Sequence, residues 1–125
     1  MRAVVQRVKK ASVKIQNTSD GDYINGEIDK GLLVFLGITH EDNDKDLDYI
    51  ADKISGLRIF EDEQGKMNLS IDDIKGEILL ISQFTLYGDC RKGRRPGFTD
   101  AARPEIAIPL YEKMIDTLKL KGIKV

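Results

Sequence analysis

Leu32-Leu33-Val34-Phe35-Leu36-Gly37-Ile38 constrains this chain more than any other stretch, because none of its seven positions is polar. A strand with one wet face alternates polar and apolar residues, so a run without alternation must be covered on both sides. We read it as a central, doubly buried strand entered through Gly31. The run Ile78-Leu79-Leu80-Ile81 is likewise read as a buried strand, ending at Ser82.

The remaining pattern supplies the layers around such strands. Val4 to Val8 and Ser12 to Gln16 have the length and partial alternation of short strands, and the two are expected to pair as a hairpin. Asn17-Thr18-Ser19-Asp20-Gly21-Asp22 reads as a turn cluster, after which Tyr23 to Ile28 resumes a strand. From Asn43 to Leu57, the apolar residues Leu47, Ile50, Ala51, Ile54 and Leu57 repeat at helical spacing, with Asn43 or Asp44 as N-cap. Pro104 to Leu120 repeats the pattern through Ile106, Ala107, Leu110, Met114 and Leu118; Pro104 suits the first turn, and Pro109 is expected to kink the helix or delay its start. Between the helices, Arg58-Ile59-Phe60, a Gly65 turn and Met67-Asn68-Leu69-Ser70 are expected to line a cleft beside the strand ending at Ser82. The fold class is therefore α/β: one domain over 1–125, with a mixed twisted or barrel-like sheet covered by two main helices.

With 125 residues, 41% apolar and 33% charged, the chain has the size and composition of one globular domain. It lacks the roughly 18 uninterrupted apolar residues of a membrane-spanning helix, and its N-terminus lacks the apolar stretch of a signal peptide, so a cytoplasmic protein without membrane partners is expected. One cysteine, Cys90, and one histidine, His40, leave neither a disulfide framework nor a zinc spacing, and no metal or cofactor is expected.

The net charge of −1 excludes wholesale attraction to polyanions, yet the charges are segregated. Glu41, Asp42, Asp44, Asp46 and Asp48 crowd one segment. The spacing of Asp42, Asp44 and Asp46 mimics a calcium loop, but Leu47 stands where that loop needs glycine, so the cluster reads as solvated surface. Arg91, Lys92, Arg94, Arg95 and Arg103 crowd another, and the interleaved Gly93, Pro96 and Gly97 argue for a shaped loop. That loop directly follows Ser82-Gln83-Phe84-Thr85-Leu86-Tyr87-Gly88-Asp89, which places hydroxyls and an amide beside possible anion binding.

Few chemistries suit this set. His40 abuts the acidic segment and offers no triad, the carboxylates fall in turns and first helical turns, and no Gly-rich phosphate loop is present. Ser82, Gln83 and Thr85 remain, without an obvious base. An ester that is already activated, such as an aminoacyl ester on a ribose, requires mainly positioning and backbone donors for the oxyanion. The bland alternative makes Ser82 to Leu86 a strand edge with alternating polar residues.

Four blocks in order, Met1-Arg2-Ala3-Val4-Val5-Gln6-Arg7-Val8, Gly65-Lys66-Met67-Asn68-Leu69-Ser70, Ile81 to Asp89 and Lys92 to Ala102, resemble D-aminoacyl-tRNA deacylases of the bacterial and eukaryotic type. The resemblance runs nearly from the first residue to the last. It implies a homodimeric, metal-independent editing hydrolase that removes D-amino acids, and glycine, from mischarged tRNA. Thr85 is implied as catalytic, either as nucleophile or as a positioning hydroxyl. Ser82, Gln83, Phe84 and Met67 are implied to bind the aminoacyl-adenosine end. The basic residues Arg91, Lys92, Arg94 and Arg95 are assigned to tRNA, with no role for DNA.

Two departures accompany it. Gly97 stands where family members usually carry serine, which removes a hydroxyl from the loop. Relatives also continue past the position of Val125 through a Gly-Pro pair in cis that enters the partner's pocket and excludes L-amino acids, whereas the prolines here are Pro96, Pro104 and Pro109. The expectation is a chain truncated relative to its gene product, with Gly122 to Val125 opening a further strand and a sheet edge left free. Two rival classes remain open: a non-catalytic tRNA-binding module using Phe84, Tyr87 and Phe98 for stacking, and a hydrolase of another activated ester. Tyr87 and Phe98 are expected in the core.

Overall fold

The computed structural model describes residues 1–125, the side chains of Asn17 and Thr18 excepted. Its centre is a three-stranded mixed sheet in the order β1 (Arg2–Val8), β4 (Gly31–Gly37), β7 (Glu77–Ser82), with β1 antiparallel and β7 parallel to β4. The apolar run is thus the central strand. Leu32, Val34 and Leu36 are fully buried on one face, while Leu33 and Phe35 on the other are only half-buried, so the covering is complete on one side alone.

The expected hairpin between the first two strands does not form. β1 lies instead against β4, which sets Ala3 and Val5 on the core, and β2 (Ala11–Thr18) pairs with β3 (Gly21–Ile28). The turn cluster shrinks accordingly to Ser19-Asp20 followed by Gly21 at φ +87°, a left-handed backbone that glycine adopts freely. Asn17 and Thr18 belong to the strand backbone, and their part in the cluster as side chains lies outside the described residues. The hairpin leans on β7 where Gly26 leaves room: a Cβ there would sit 2.9 Å from Leu79 Cδ1. A second small ladder joins β5 (Phe60–Glu61) to β6 (Met67–Leu69). The ladders form three separate sheets among the described residues, of which the three-stranded one is mixed, as expected.

Two helices cover the fully buried face of β4. α1 (Asp44–Gly56) starts at Asn43, whose side chain accepts from Lys45 and Asp46 N–H while Asp46 accepts from Asn43 N–H, a reciprocal capping box. Its buried residues are Leu47, Ala51 and Ile54, and full burial of Leu47 and Ile54 contributes about 1.5–3 kcal/mol each. Leu57 falls beyond the helix as its C-cap and is exposed. α2 (Pro104–Leu120) begins at Pro104 with no delay and carries Pro109 inside it; Met114 and Leu118 are buried, whereas Ile106, expected on that face, is exposed. Among the described residues, no helix is long and apolar enough to cross a membrane.

The acidic segment is more than solvated surface. Asp42 accepts the Met1 ammonium at 2.7 Å and the Thr39 N–H at 2.8 Å, Asp46 closes the cap, and Asp44 meets Lys113 at 2.7 Å. On the far side of β7, Ile78 N–H donates to Lys124 O at 2.8 Å and the Tyr111 hydroxyl donates to Leu80 O at 2.9 Å, so the edge expected to be free is partly occupied.

Candidate active site and nucleic-acid interface

β7 ends at Ser82, and Gln83 then turns the chain into a 3-10 turn, Phe84–Tyr87. The strand-edge alternative is therefore wrong for this segment. At its two ends the turn is closed by Leu86 N–H to Gln83 O at 3.3 Å and Gly88 N–H to Thr85 O at 3.0 Å. Short 3-10 turns have poor internal geometry and need outside support. Gln83 N–H donates to Leu36 O at 2.8 Å, and the turn lies on Gly37, where a Cβ would come within 2.9 Å of Leu86 Cβ. Tyr87 is buried, which together with Asp42 raises its hydroxyl pKa while Arg2 opposes the shift. Arg2 Nη1 donates to Leu86 O at 2.9 Å, and its guanidinium carbon lies 4.4 Å from the Tyr87 ring centroid, a cation–π contact worth about 0.5–1 kcal/mol at an exposed site.

Within the turn, Gln83 Nε2 donates to Thr85 Oγ1 at 2.5 Å. A carboxamide donor occupies a lone pair on that oxygen and is no base, so the Thr85 proton is free to point elsewhere. The Phe84 and Thr85 N–H groups have no hydrogen-bond partner among the described residues, as expected for the first donors of a helical turn. The only histidine is engaged elsewhere: His40 Nε2 lies 2.6 Å from Thr99 O, and since a carbonyl only accepts, that nitrogen carries the proton.

The basic loop follows within two residues. Asp89 and Gly97 exchange both backbone hydrogen bonds at 2.8 Å, closing the segment between them. Arg91 folds back on the base of the loop, with Nε and Nη2 reaching Asp89 Oδ1 and Oδ2 at 3.0 and 2.7 Å. That bidentate bond, with the Arg91 N–H, holds the Asp89 carboxyl down at about 2. Lys92, Arg94 and Arg95 are exposed, and none has an ion-pair partner among the described residues. Turn and loop touch through Phe84 and Phe98, 58% and 39% exposed, whose rings meet edge-on with centroids 5.3 Å apart. Tyr87 occupies the core as expected, but Phe98 does not.

The structure thus gathers Ser82, Gln83, Phe84 and Thr85 in one turn, beside the loop of Arg91, Lys92, Arg94 and Arg95. Met67 stands apart on β6, 67% exposed, on a hairpin fixed by Arg58, which donates to Asn68 O at 2.9 Å and Asn68 Oδ1 at 2.6 Å. The expected cleft wall is also different: the groove of about 320 Å³ along β7 to Ser82 is lined by the hairpin at Val13 and Gly26 and by Tyr111 and Ile115, not by residues 58–60 or 65–70. Sequence reasoning missed Arg2, Gly37 and Asp89. Only Gly37, a glycine inside an apolar run, carried a signal. No group of acids, cysteine and histidine able to hold a metal occurs among the described residues.

Fold and site together define an α/β protein that sets a hydroxyl-and-amide turn next to exposed cations. The chain belongs to the D-Tyr-tRNA(Tyr) deacylase family, whose family model matches residues 4–125. It is 59% identical over 125 residues to the D-aminoacyl-tRNA deacylase of Clostridioides difficile (strain 630), covering 100% of this chain and 80% of that one. It is 60% identical over 124 residues to the D-aminoacyl-tRNA deacylase of Desulfatibacillum aliphaticivorans, covering 99% and 82%. Among solved structures, a c-Myc DNA Unwinding Element Binding Protein superposes with TM-score 0.85 at 42% identity, over 97% of this chain and 78% of that one. A probable eukaryotic D-amino acid tRNA deacylase superposes with TM-score 0.76 over 97% and 68%, and its 17% identity speaks for the fold alone.

Proposed function

We propose that this chain hydrolyses the ester bond of D-aminoacyl-tRNA, and of mischarged glycyl-tRNA, releasing free amino acid and tRNA as an editing enzyme of the cytoplasm. The observation that carries the reading is the turn at Gln83–Thr85, with two unpartnered N–H groups and a hydroxyl beside exposed cations, in a chain of the D-Tyr-tRNA(Tyr) deacylase family. The Phe84 and Thr85 amides suit the developing oxyanion, and such preorganised donors contribute about 10²–10³ in rate where they have been removed singly. Thr85, held by Gln83 and not by a base, positions the ester instead of attacking it. The attacking oxygen is then water, assisted by the neighbouring ribose hydroxyl. Ser82, Gln83 and Phe84 contact the aminoacyl-adenosine end, and Met67, which stands apart from that groove in its own chain, joins them from the second subunit of a homodimer. Lys92, Arg94 and Arg95 meet phosphates, while Arg91 shapes the loop through Asp89.

The test is single-turnover deacylation of D-Tyr-tRNA, L-Tyr-tRNA and Gly-tRNA, with Thr85→Ala alongside. Release of D-Tyr supports the reading; a folded protein that releases no amino acid from any of the three sinks it. For Thr85→Ala the expected result is a slower rate with tRNA affinity kept. A single-stranded DNA competitor belongs in the same assay, since one solved relative is described as binding a DNA element. Retention of DNA in preference to tRNA would favour a nucleic-acid-binding module with exposed aromatic rings and cations.

A further inference from the structure

We infer that Arg2 is a positioning residue for the deacylation step, acting through the turn that carries Gln83 and Thr85; the inference rests on the deacylase reading above. Arg2 stands opposite Gly37 in the β1–β4 register, at the end of an edge strand. Its side chain reaches a carbonyl 84 positions away: Nη1 donates to Leu86 O at 2.9 Å, and the guanidinium lies 4.4 Å from the Tyr87 ring centroid.

Leu86 O is one of the last carbonyls of the 3-10 turn, and such carbonyls have no partner inside the turn. A cation placed there satisfies the acceptor and complements the negative end of the turn's dipole. The same guanidinium holds the ring of Tyr87, the buried residue that fastens the turn to the core. The Gly37 gap receives the turn from below and Gln83 N–H ties its start to Leu36 O at 2.8 Å, so Arg2 secures the opposite end. Without it, the turn keeps its tie at Gln83 and the buried Tyr87 ring but loses the bond at Leu86 O, and the Phe84 and Thr85 amides are held less firmly in one direction. Arg2 itself contacts Leu86 O and the Tyr87 ring and acts only through them.

The rival role for an exposed arginine on such a protein is a phosphate contact, and the experiment separates the two. Arg2→Ala, Arg2→Gln and Arg2→Lys are compared with the unmodified chain in single-turnover hydrolysis of D-Tyr-tRNA, equilibrium tRNA binding across a salt series, thermal unfolding, and amide NMR of Thr85 and Gly88. Positioning predicts that Arg2→Ala and Arg2→Gln lower the saturating rate about tenfold or more, with tRNA affinity and salt slope unchanged. It also predicts shifted Thr85 and Gly88 amide signals, and partial recovery in Arg2→Lys, which restores charge without the planar fork. A weakened affinity with a salt slope shallower by about one phosphate's worth assigns Arg2 to RNA contact and overturns the inference. An unchanged rate with unchanged amide signals also overturns it. If the unmodified chain itself hydrolyses nothing, the deacylase reading fails; the NMR comparison then still decides whether Arg2 orders the turn.

Discussion

The turn Phe84–Tyr87 and the loop between Asp89 and Gly97 adjoin in sequence and are held in opposite ways. The turn is a single short 3-10 element, a geometry poor in internal bonding, and is fixed from outside by Leu36, Gly37 and Arg2, residues that come from two other strands. The loop is closed by its own ends and by an ion pair between residues two apart, Asp89 and Arg91. The turn proposed to hold the reacting ester is thus braced by tertiary structure, whereas the loop proposed to meet a polyanion is self-contained. Damage to the core should reach the first and spare the second.

The comparison breaks most visibly at Gly37. In Gly37→Ala, the new methyl group meets Leu86 Cβ at 2.9 Å, close to the backbone where little can give. The expected outcome is a loss of about 100-fold in single-turnover rate, as for an active group displaced by about 1 Å. Urea unfolding should record about 1–3 kcal/mol of destabilisation from overpacking, with tRNA affinity nearly intact. A variant hydrolysing at the original rate would show that the turn's seating is unimportant.

The loop is probed by Arg94→Ala combined with Arg95→Ala. Removing two unpaired cations should weaken tRNA binding and flatten the logarithmic salt dependence by roughly 1–2 units, with the loss appearing in affinity more than in the saturating rate. Arg91→Ala, by contrast, removes a cation already engaged with Asp89 and should leave the slope nearly unchanged. Equal slopes for the double variant and Arg91→Ala would erase the division of labour within the loop.

The smallest effect concerns pH. The Asp89 carboxyl is lowered from 3.8 to about 2 by its Arg91 bonds, so between those values the unfolded chain binds more protons than the folded one. The latch's contribution is therefore complete above the ordinary carboxylate value and is lost as pH falls through about 2. Carboxyl NMR should follow this titration in the unmodified chain, and Arg91→Ala should return it toward the ordinary value. An unshifted Asp89 would mean that the loop is closed by its backbone alone.

Much of this molecule could be read from local pattern. The central strand, the capping box at Asn43 and the bounds of α2 follow from rules that act over a few residues: apolar runs, side-chain caps, a proline at a helix start. Pairing was less legible. β1 and β2 are neighbours with suitable alternation, yet the partner of β1 is β4, because only that placement buries Ala3 and Val5. Likewise Ser82 to Leu86 alternates like a strand, and its turn arises because Gly37 opens space beneath it and Leu36 O accepts its first N–H.

The site divides along the same line. The sequence by itself determined the family, the hydroxyl-and-amide segment and the cationic loop, since these depend on residue types in a fixed local order. Tertiary structure decided how the groups are placed: that Arg91 is engaged with Asp89, that Phe98 stands against Phe84 outside the core, that Met67 lies on a separate hairpin, and that Arg2 reaches the turn. Those outcomes depend on contacts between residues distant along the chain, and the side-chain pattern around a residue does not state which distant backbone will come to lie beside it.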